Sequence, residues 1–326
     1  MKRGECNVNT LPSKQIYAKF EENKNGGKQI CSDISTWTEG ILDILGNKLK
    51  QNHMGAVKPE EIANVWCSIS KLNTKEKEPP PSCKVGVVCN FFYFWLGDKL
   101  EGKLQGGNAK LKEVIQSFFN KLSDSTGLCA STFLSSTMDT TFLKQRKKVF
   151  DYYYDYQTIW NQIKNSGSDG SSCAQKYDSY LNGVEEISTD GGADDAYRKV
   201  QANCPSNGGD NFCTEFWKKK FQQNGHGGCG SKPIPPPSQL KEKATSPEEV
   251  LPPASDEEDS LDSCLTQLLS QHSEITSLAG KEASTDQLPQ GGAGGGTTTP
   301  VVASSALGIV GLPALAFFLY KVKLPL

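Results

Sequence analysis

Histidine is scarce in this chain: His53, His226 and His272 are the only three in 326 residues. A hydrolase of the Ser-His-Asp or Cys-His kind needs an imidazole held by a third group in a packed cleft. His53 falls in the turn-like Gln51-Asn-His-Met-Gly55, and His272 lies in a polar, proline-containing stretch. No H-E-x-x-H, G-x-x-x-x-G-K-[ST] or G-x-S-x-G occurs, which removes zincin, P-loop and nucleophile-elbow chemistry. The expectation is therefore a protein that is not an enzyme, with no cofactor, no metal and no small-molecule substrate. Charge of one sign is lacking too, since 35 basic residues face 37 acidic ones. That balance argues against nucleic acid as a partner. None of the asparagines opens an Asn-x-Ser/Thr sequon, so no N-glycosylation is expected. Met1-Lys-Arg-Gly-Glu-Cys6 carries charge but no apolar stretch follows it. An ordinary cleaved signal peptide is not visible there, and export would rely on a C-terminal span or on a special route.

Three patterns that imitate functional motifs have plainer readings. Gly225-His-Gly-Gly-Cys-Gly230 spells G-x-G-x-x-G, but a lysine-rich helix precedes it and prolines follow, the reverse of the strand and helix a dinucleotide needs. Cys204, Cys213, His226 and Cys229 lie close in sequence, yet only His226 and Cys229 have the short spacing of a zinc turn, so disulfides are favoured. Lys144-Gln-Arg-Lys-Lys148 could touch acidic glycans or lipid headgroups, but a charge run on a helix is ordinarily a solvated face.

What the chain does have is a run of twenty uncharged residues from Val301 to Tyr320, flanked by Gly/Thr-rich sequence and by Lys321 and Lys323. At about 1.5 Å per residue such a helix reaches roughly 30 Å, the thickness of a bilayer's hydrocarbon core. We therefore expect a single membrane span, with the two lysines placing the tail, residues 321–326, in the cytoplasm and the rest outside. Eleven cysteines precede the span, at Cys6, Cys31, Cys67, Cys83, Cys89, Cys129, Cys173, Cys204, Cys213, Cys229 and Cys264. Scattered in this way they read as disulfides formed in an oxidising space. Spacing does not say which ones pair. Ten of them precede residue 230, so even pairing there is possible, and Cys264 is left over as a free thiol or one that bridges two chains.

Composition changes after Gly230. Residues 230–300 hold Pro233-Ile-Pro-Pro-Pro237, Pro252-Pro253 and Asp256-Glu-Glu-Asp259, with four lysines against eleven acids. A segment this polar cannot bury enough apolar surface to offset its ordering, and reads as a disordered, acidic, Pro/Gly-rich stalk. Ser260 to Leu269 could form one short amphipathic helix within it. Residues 1–229 mix aromatics, leucines and charges as a globular head does.

The head reads as all-α. Trp37, Ile41, Leu45 and Leu49 recur every four residues, and Ile62, Val65, Trp66, Ile69 and Leu72 follow the helical stripe after Pro59. Leu111, Val114, Ile115, Phe118 and Leu122 repeat it. A long helix is expected from Thr140 to Lys164, ending at Asn165-Ser-Gly-Ser-Asp-Gly170, with shorter ones over Cys173–Ile187, Asp194–Ala202 and Asn211–Phe221. Asn90-Phe-Phe-Tyr-Phe-Trp95 and Tyr152-Tyr-Tyr-Asp-Tyr156 put aromatics on every side of a helix, which tight packing between helices would satisfy.

Several of these segments resemble a known family in order. Cys6, then Leu11-Pro-Ser-Lys-Gln-Ile-Tyr17-Ala-Lys-Phe20, then Cys89-Asn-Phe-Phe-Tyr-Phe-Trp95-Leu-Gly-Asp-Lys-Leu100, then Lys148-Val-Phe-Asp-Tyr-Tyr-Tyr154 and Cys173-Ala-Gln-Lys-Tyr177 are similar to the Plasmodium interspersed repeat (PIR) proteins. Ser305-Ala-Leu-Gly-Ile-Val-Gly-Leu-Pro313 with Phe318-Leu-Tyr-Lys321 resembles the end of their KIR and VIR branches. The resemblance implies a variant surface antigen of a malaria parasite at the infected erythrocyte membrane, acting in antigenic variation and immune evasion, with host-cell receptors or antibodies as partners. It implies no catalytic residues. Many relatives continue into a longer basic tail, whereas this chain stops six residues after Tyr320. An intracellular or vacuolar membrane scaffold without surface exposure is the alternative.

Overall fold

Apolar residues three and four apart share one face of a helix, and all the regular elements among the described residues are helical apart from one isolated antiparallel bridge between Leu49 and Leu104. A computed structural model describes residues 6–25, 31–53, 55–72, 85–129, 142–166, 170–182, 191–204, 210–222, 234–246 and 263–268. They belong to one compact unit, Met1–Lys281; a second unit, Glu282–Leu326, lies outside the described residues.

The helices are α1 (Pro12–Asn23), α2 (Ile34–Leu45), α3 (Pro59–Ser70), α4 (Val85–Leu100), α5 (Gly107–Thr126), α6 (Leu143–Asn165), α7 (Gly170–Asn182), α8 (Ala193–Asn203), a π-wound helix (Phe212–Gln222) and α9 (Pro237–Thr245). Proline opens α1, α3 and α9, where its missing N–H costs nothing and its fixed φ suits the first turn. Glu60 and Glu61 follow in the first turn of α3, on the favourable side of the helix dipole. Helix α5 stops at Gly127, whose φ of 67° lets its N–H close onto the Ser123 carbonyl at 2.7 Å.

Two groups of helices share the middle of the fold. Helix α2 packs on α3 and α5, while α6 packs on α7, α8 and α9. Helices α1 and α4 join the groups, because each touches both α3 and α6. Helix α4 comes close enough to α6 that a Cβ added at Gly97 would lie 2.5 Å from Leu143 Cδ2.

Helix α4 is buried all round from Val87 to Gly97, as a helix without a polar face must be. Phe91 meets Tyr17, Phe150 and Tyr154 at ring separations of 5.5, 4.8 and 5.1 Å. Phe92 meets Phe20, Trp66, Trp95 and Phe119 between 5.5 and 6.3 Å. The aromatic cluster runs on through Phe150 to Phe216 of the π-wound helix. Both aromatic runs are thus packed between helices, each close pair adding about 0.5–1.5 kcal/mol beyond its buried area.

Cystines brace this core. Cys6 pairs with Cys173, Cys31 with Cys67, Cys89 with Cys129 and Cys204 with Cys213. Cys83 and Cys229 lie outside the described residues. Cys264 differs from expectation. It is neither free nor a bridge between chains: it is disulfide-bonded within the chain and fully buried. The reason is the helical turn at residues 263–268, which seats Cys264, Leu265 and Leu268 in the core.

The expected stalk is corrected on the same ground. Part of residues 230–300 is folded onto the head: α9 packs on α6, α7 and α8, and its Leu240 and Ala244, one turn apart, are buried. The Tyr152 hydroxyl donates to the Pro235 carbonyl at 2.8 Å, fixing the proline stretch beside α6. Acidic composition concealed this short apolar stripe. Among the described residues no helix is long and apolar enough to cross a membrane. The span expected from Val301 to Tyr320, the tail 321–326 and the stalk after Leu268 lie outside those residues.

Phe92→Ala removes a ring held by four aromatic neighbours, and is expected to lower the unfolding free energy by about 3–5 kcal/mol. Guanidinium unfolding followed by tryptophan fluorescence measures it; a loss below about 1 kcal/mol would contradict this packing. By loop-closure entropy, replacing the Cys6–Cys173 pair with serines, which frees a separation of 167 residues, should cost more than replacing Cys204–Cys213, with a separation of 9. The expected losses are about 5 and about 2.5 kcal/mol, and the order of the two melting temperatures checks them.

Candidate ligand cleft

Lys144, Lys147 and Lys148 stand at i, i+3 and i+4 on α6 and therefore share a face, while Arg146 points away. Arg146 is buried, pairs with Asp210, lies 3.8 Å from Cys213 Sγ, and stacks over the Phe212 ring at 5.1 Å. The three lysines instead line a cavity of about 340 Å³. Helix α1 contributes Lys14 to its wall, the end of α4 contributes Asp98, and α7 contributes Ser179 and Tyr180. Gly191, Gly192 and Ala193, at the start of α8, close the remaining side.

Each of these three lysines on α6 is held in place. Lys147 donates to Asp151 Oδ2 at 2.8 Å, lies 3.8 Å from Asp98, and sits 3.8 Å over the Tyr17 ring. Burial pulls its pKa down, but the charges of Asp151 and Asp98 outweigh that and raise it, so it stays an ammonium. Lys148 donates to the Gly191 carbonyl at 2.6 Å, and Lys144 reaches Glu101 at 3.4 Å. Lys14 makes no ion pair among the described residues and lies 6.0 Å from the Tyr180 ring centre.

Under the cleft runs a buried polar network. Tyr17 donates to Asp151 Oδ1 at 2.9 Å. Asp155, fully buried, accepts from the Ser13 N–H at 2.9 Å, the Ser13 hydroxyl at 2.6 Å and the Tyr180 hydroxyl at 2.7 Å. Burial drives Asp155 up to about 7; the hydrogen bonds from Ser13 and Tyr180 work against the rise and the charge of Asp151 adds to it. Asp98 rises to about 6, chiefly because the cleft walls exclude water although its side chain keeps nearly half its exposure; Lys147 opposes that rise.

A family model described as the Plasmodium vivax Vir protein matches residues 11–323. The chain belongs to the Vir family. No curated protein and no solved structure matches it. The Vir match takes in α1 with its Ser13, the whole cleft, every cysteine except Cys6, and Val301 to Tyr320. Vir membership points to a Plasmodium variant antigen, in a family not known for enzymes.

The residues singled out in this Vir sequence meet different fates. His53 ends a single 3-10 turn, Gln51–His53, and His226 and His272 lie outside the described residues. Cys204 and Cys213 bond to each other. Among the described residues no group of His, Cys, Asp or Glu is arranged to hold a metal. The basic run is not one solvated face: it is divided between the core and the cleft. Sequence reasoning missed Lys14, Asp98, Asp151 and Asp155, which only the fold brings together. The i, i+4 pair Lys147 and Asp151 was the one visible signal.

Asp155 sets a pH dependence. Between its unfolded pKa near 4 and its folded value of about 7, the native state holds a proton that the unfolded chain releases, so stability falls as pH rises through that window. Asp98 acts in the same direction up to about 6. Burial pushes Glu21 up as well, but hydrogen bonds from Lys24, Lys99 and Trp95 bring it down to about 2, so its stabilisation is lost only at more acid pH. The melting temperature should therefore drop between about pH 4 and about pH 7 and level off above that. Asp155→Asn, which keeps an acceptor for the Ser13 N–H, should flatten most of that drop; an unchanged slope would show that Asp155 is ionised throughout.

Proposed function

We propose that this Vir protein is a variant surface antigen displayed at the infected erythrocyte membrane, anchored by Val301 to Tyr320 with the head outside, acting in antigenic variation and immune evasion. Host-cell receptors or antibodies are the partners of that exposed head. Vir family membership supports the reading, and the observation that carries it is the covalent bracing of the core. Four cystines and the bonded Cys264 need an oxidising compartment, which the cytosol does not provide.

The architecture also suits an antigen physically. Stability resides in the aromatic interior and the cystines, while substitutions on a surface away from such features ordinarily change it by less than about 0.5 kcal/mol. A head of this kind can alter its outer residues while its fold persists.

Labelling thiols on intact infected cells with a membrane-impermeant reagent, before and after reduction, tests the proposal by peptide mapping. Labelling of head cysteines that needs reductant but not permeabilisation is the expected result. Labelling that needs permeabilisation and no reductant would put the head in a reducing interior, and the reading would pass to an intracellular or vacuolar scaffold.

A further inference from the structure

We propose that the cleft beside α6 binds a small phosphate monoester, a phosphorylated sugar or polyol, through Lys14, Lys144, Lys147 and Lys148. The proposal does not depend on where the head is displayed.

Charge decides the ligand's class. Among the groups lining the cavity, four ammonium groups face two carboxylates, Asp98 and Asp151, and Glu101 pairs with Lys144 at the rim, so the cleft stays net positive. A phosphate monoester carries about −1.5 to −2 near neutral pH and is drawn to a net positive cleft more strongly than a carboxylate or a sulfate ester, which brings a single charge. Lys14 makes no ion pair among the described residues, so an incoming oxyanion has an ammonium to meet without breaking one.

Size and lining decide the rest. A cavity of about 340 Å³ is at the small end of ligand pockets, enough for a sugar-sized body but not for an extended chain. Gly191 and Gly192 present backbone without side chains, and Ser179 and Tyr180 line the part of the wall that would meet the ligand's polyol part. Helix α8 starts at this wall, with its positive end toward the cleft. Asp194 and Asp195 in its first turn are paired with Arg198 and Lys199 at 3.3 and 2.8 Å, which tempers their repulsion of an anion.

Isothermal titration of the full chain in nonionic detergent with glucose 6-phosphate, glucose 6-sulfate and glucose tests the assignment. Glucose 6-phosphate should bind in the millimolar range or tighter, glucose 6-sulfate more weakly and glucose not at all. Lys14→Gln should weaken binding about tenfold, the loss of one charge-assisted hydrogen bond. Because Lys14 is half-buried at the cleft wall and makes no ion pair among the described residues, the variant should melt as the parent does. Lys144→Gln, at an exposed position, is the second variant and should weaken binding in the same direction. The proposal is overturned if glucose 6-phosphate gives no heat, if glucose binds equally well, or if both variants bind like the parent. It is also overturned if the chain sediments with vesicles containing phosphatidylinositol 4-phosphate yet ignores the soluble ester, because the surface would then be a membrane contact.

Discussion

The carboxylate of Asp155 closes the open end of α1, and much of the fold hangs on that contact. Helix α1 begins at Pro12 after Leu11, which has no side chain able to cap it. Its first-turn N–H at Ser13 is satisfied by a residue 142 positions away, in the middle of α6. The positive end of a helix and a buried carboxylate are natural partners. Because the same carboxylate also takes the Tyr180 hydroxyl, one side chain registers α1, α6 and α7 against each other. Helix α1 in turn leans on α3 and α4, so the register reaches both halves of the molecule.

How much of this was legible depended on whether the deciding pattern was local. The stripes of Trp37 to Leu49, of Ile62 to Leu72 and of Leu111 to Leu122 are local, and each lies buried, although Leu49 and Leu72 fall past the ends of α2 and α3. The C-terminal end of α6 was visible because a run rich in Asn, Ser and Gly follows it. The cap on α1 was not, since no spacing rule connects Ser13 with Asp155. Arg146 and Lys147 look alike in sequence, yet a rotation of about 100° between neighbours sends one into the core and the other into the cleft. The chain after Gly230 misled for another reason: average composition hid the stripe of Leu240 with Ala244, and the amphipathic turn anticipated within Ser260 to Leu269, though present at 263–268, packs its Cys264 and Leu268 on the head rather than standing in a stalk.

The basic cleft and the buried acids beneath it form one electrostatic unit. Lys147 stays charged because Asp151 and Asp98 surround it, and Tyr17 and Tyr180 carry hydrogen bonds from the cleft wall to Asp151 and Asp155. Polar groups placed this deep cost stability unless every member is satisfied. The aromatic core around α4 supplies the surplus that tolerates them.

The Cys6–Cys173 bond encloses two smaller ones, Cys31–Cys67 and Cys89–Cys129, one after the other within its span. A single backbone cleavage at any point between Cys6 and Cys173 therefore yields two pieces that remain covalently joined. A head exposed to host proteases could be nicked in any loop of its first half without shedding a fragment, and what is left attached would still hold the aromatic core in place.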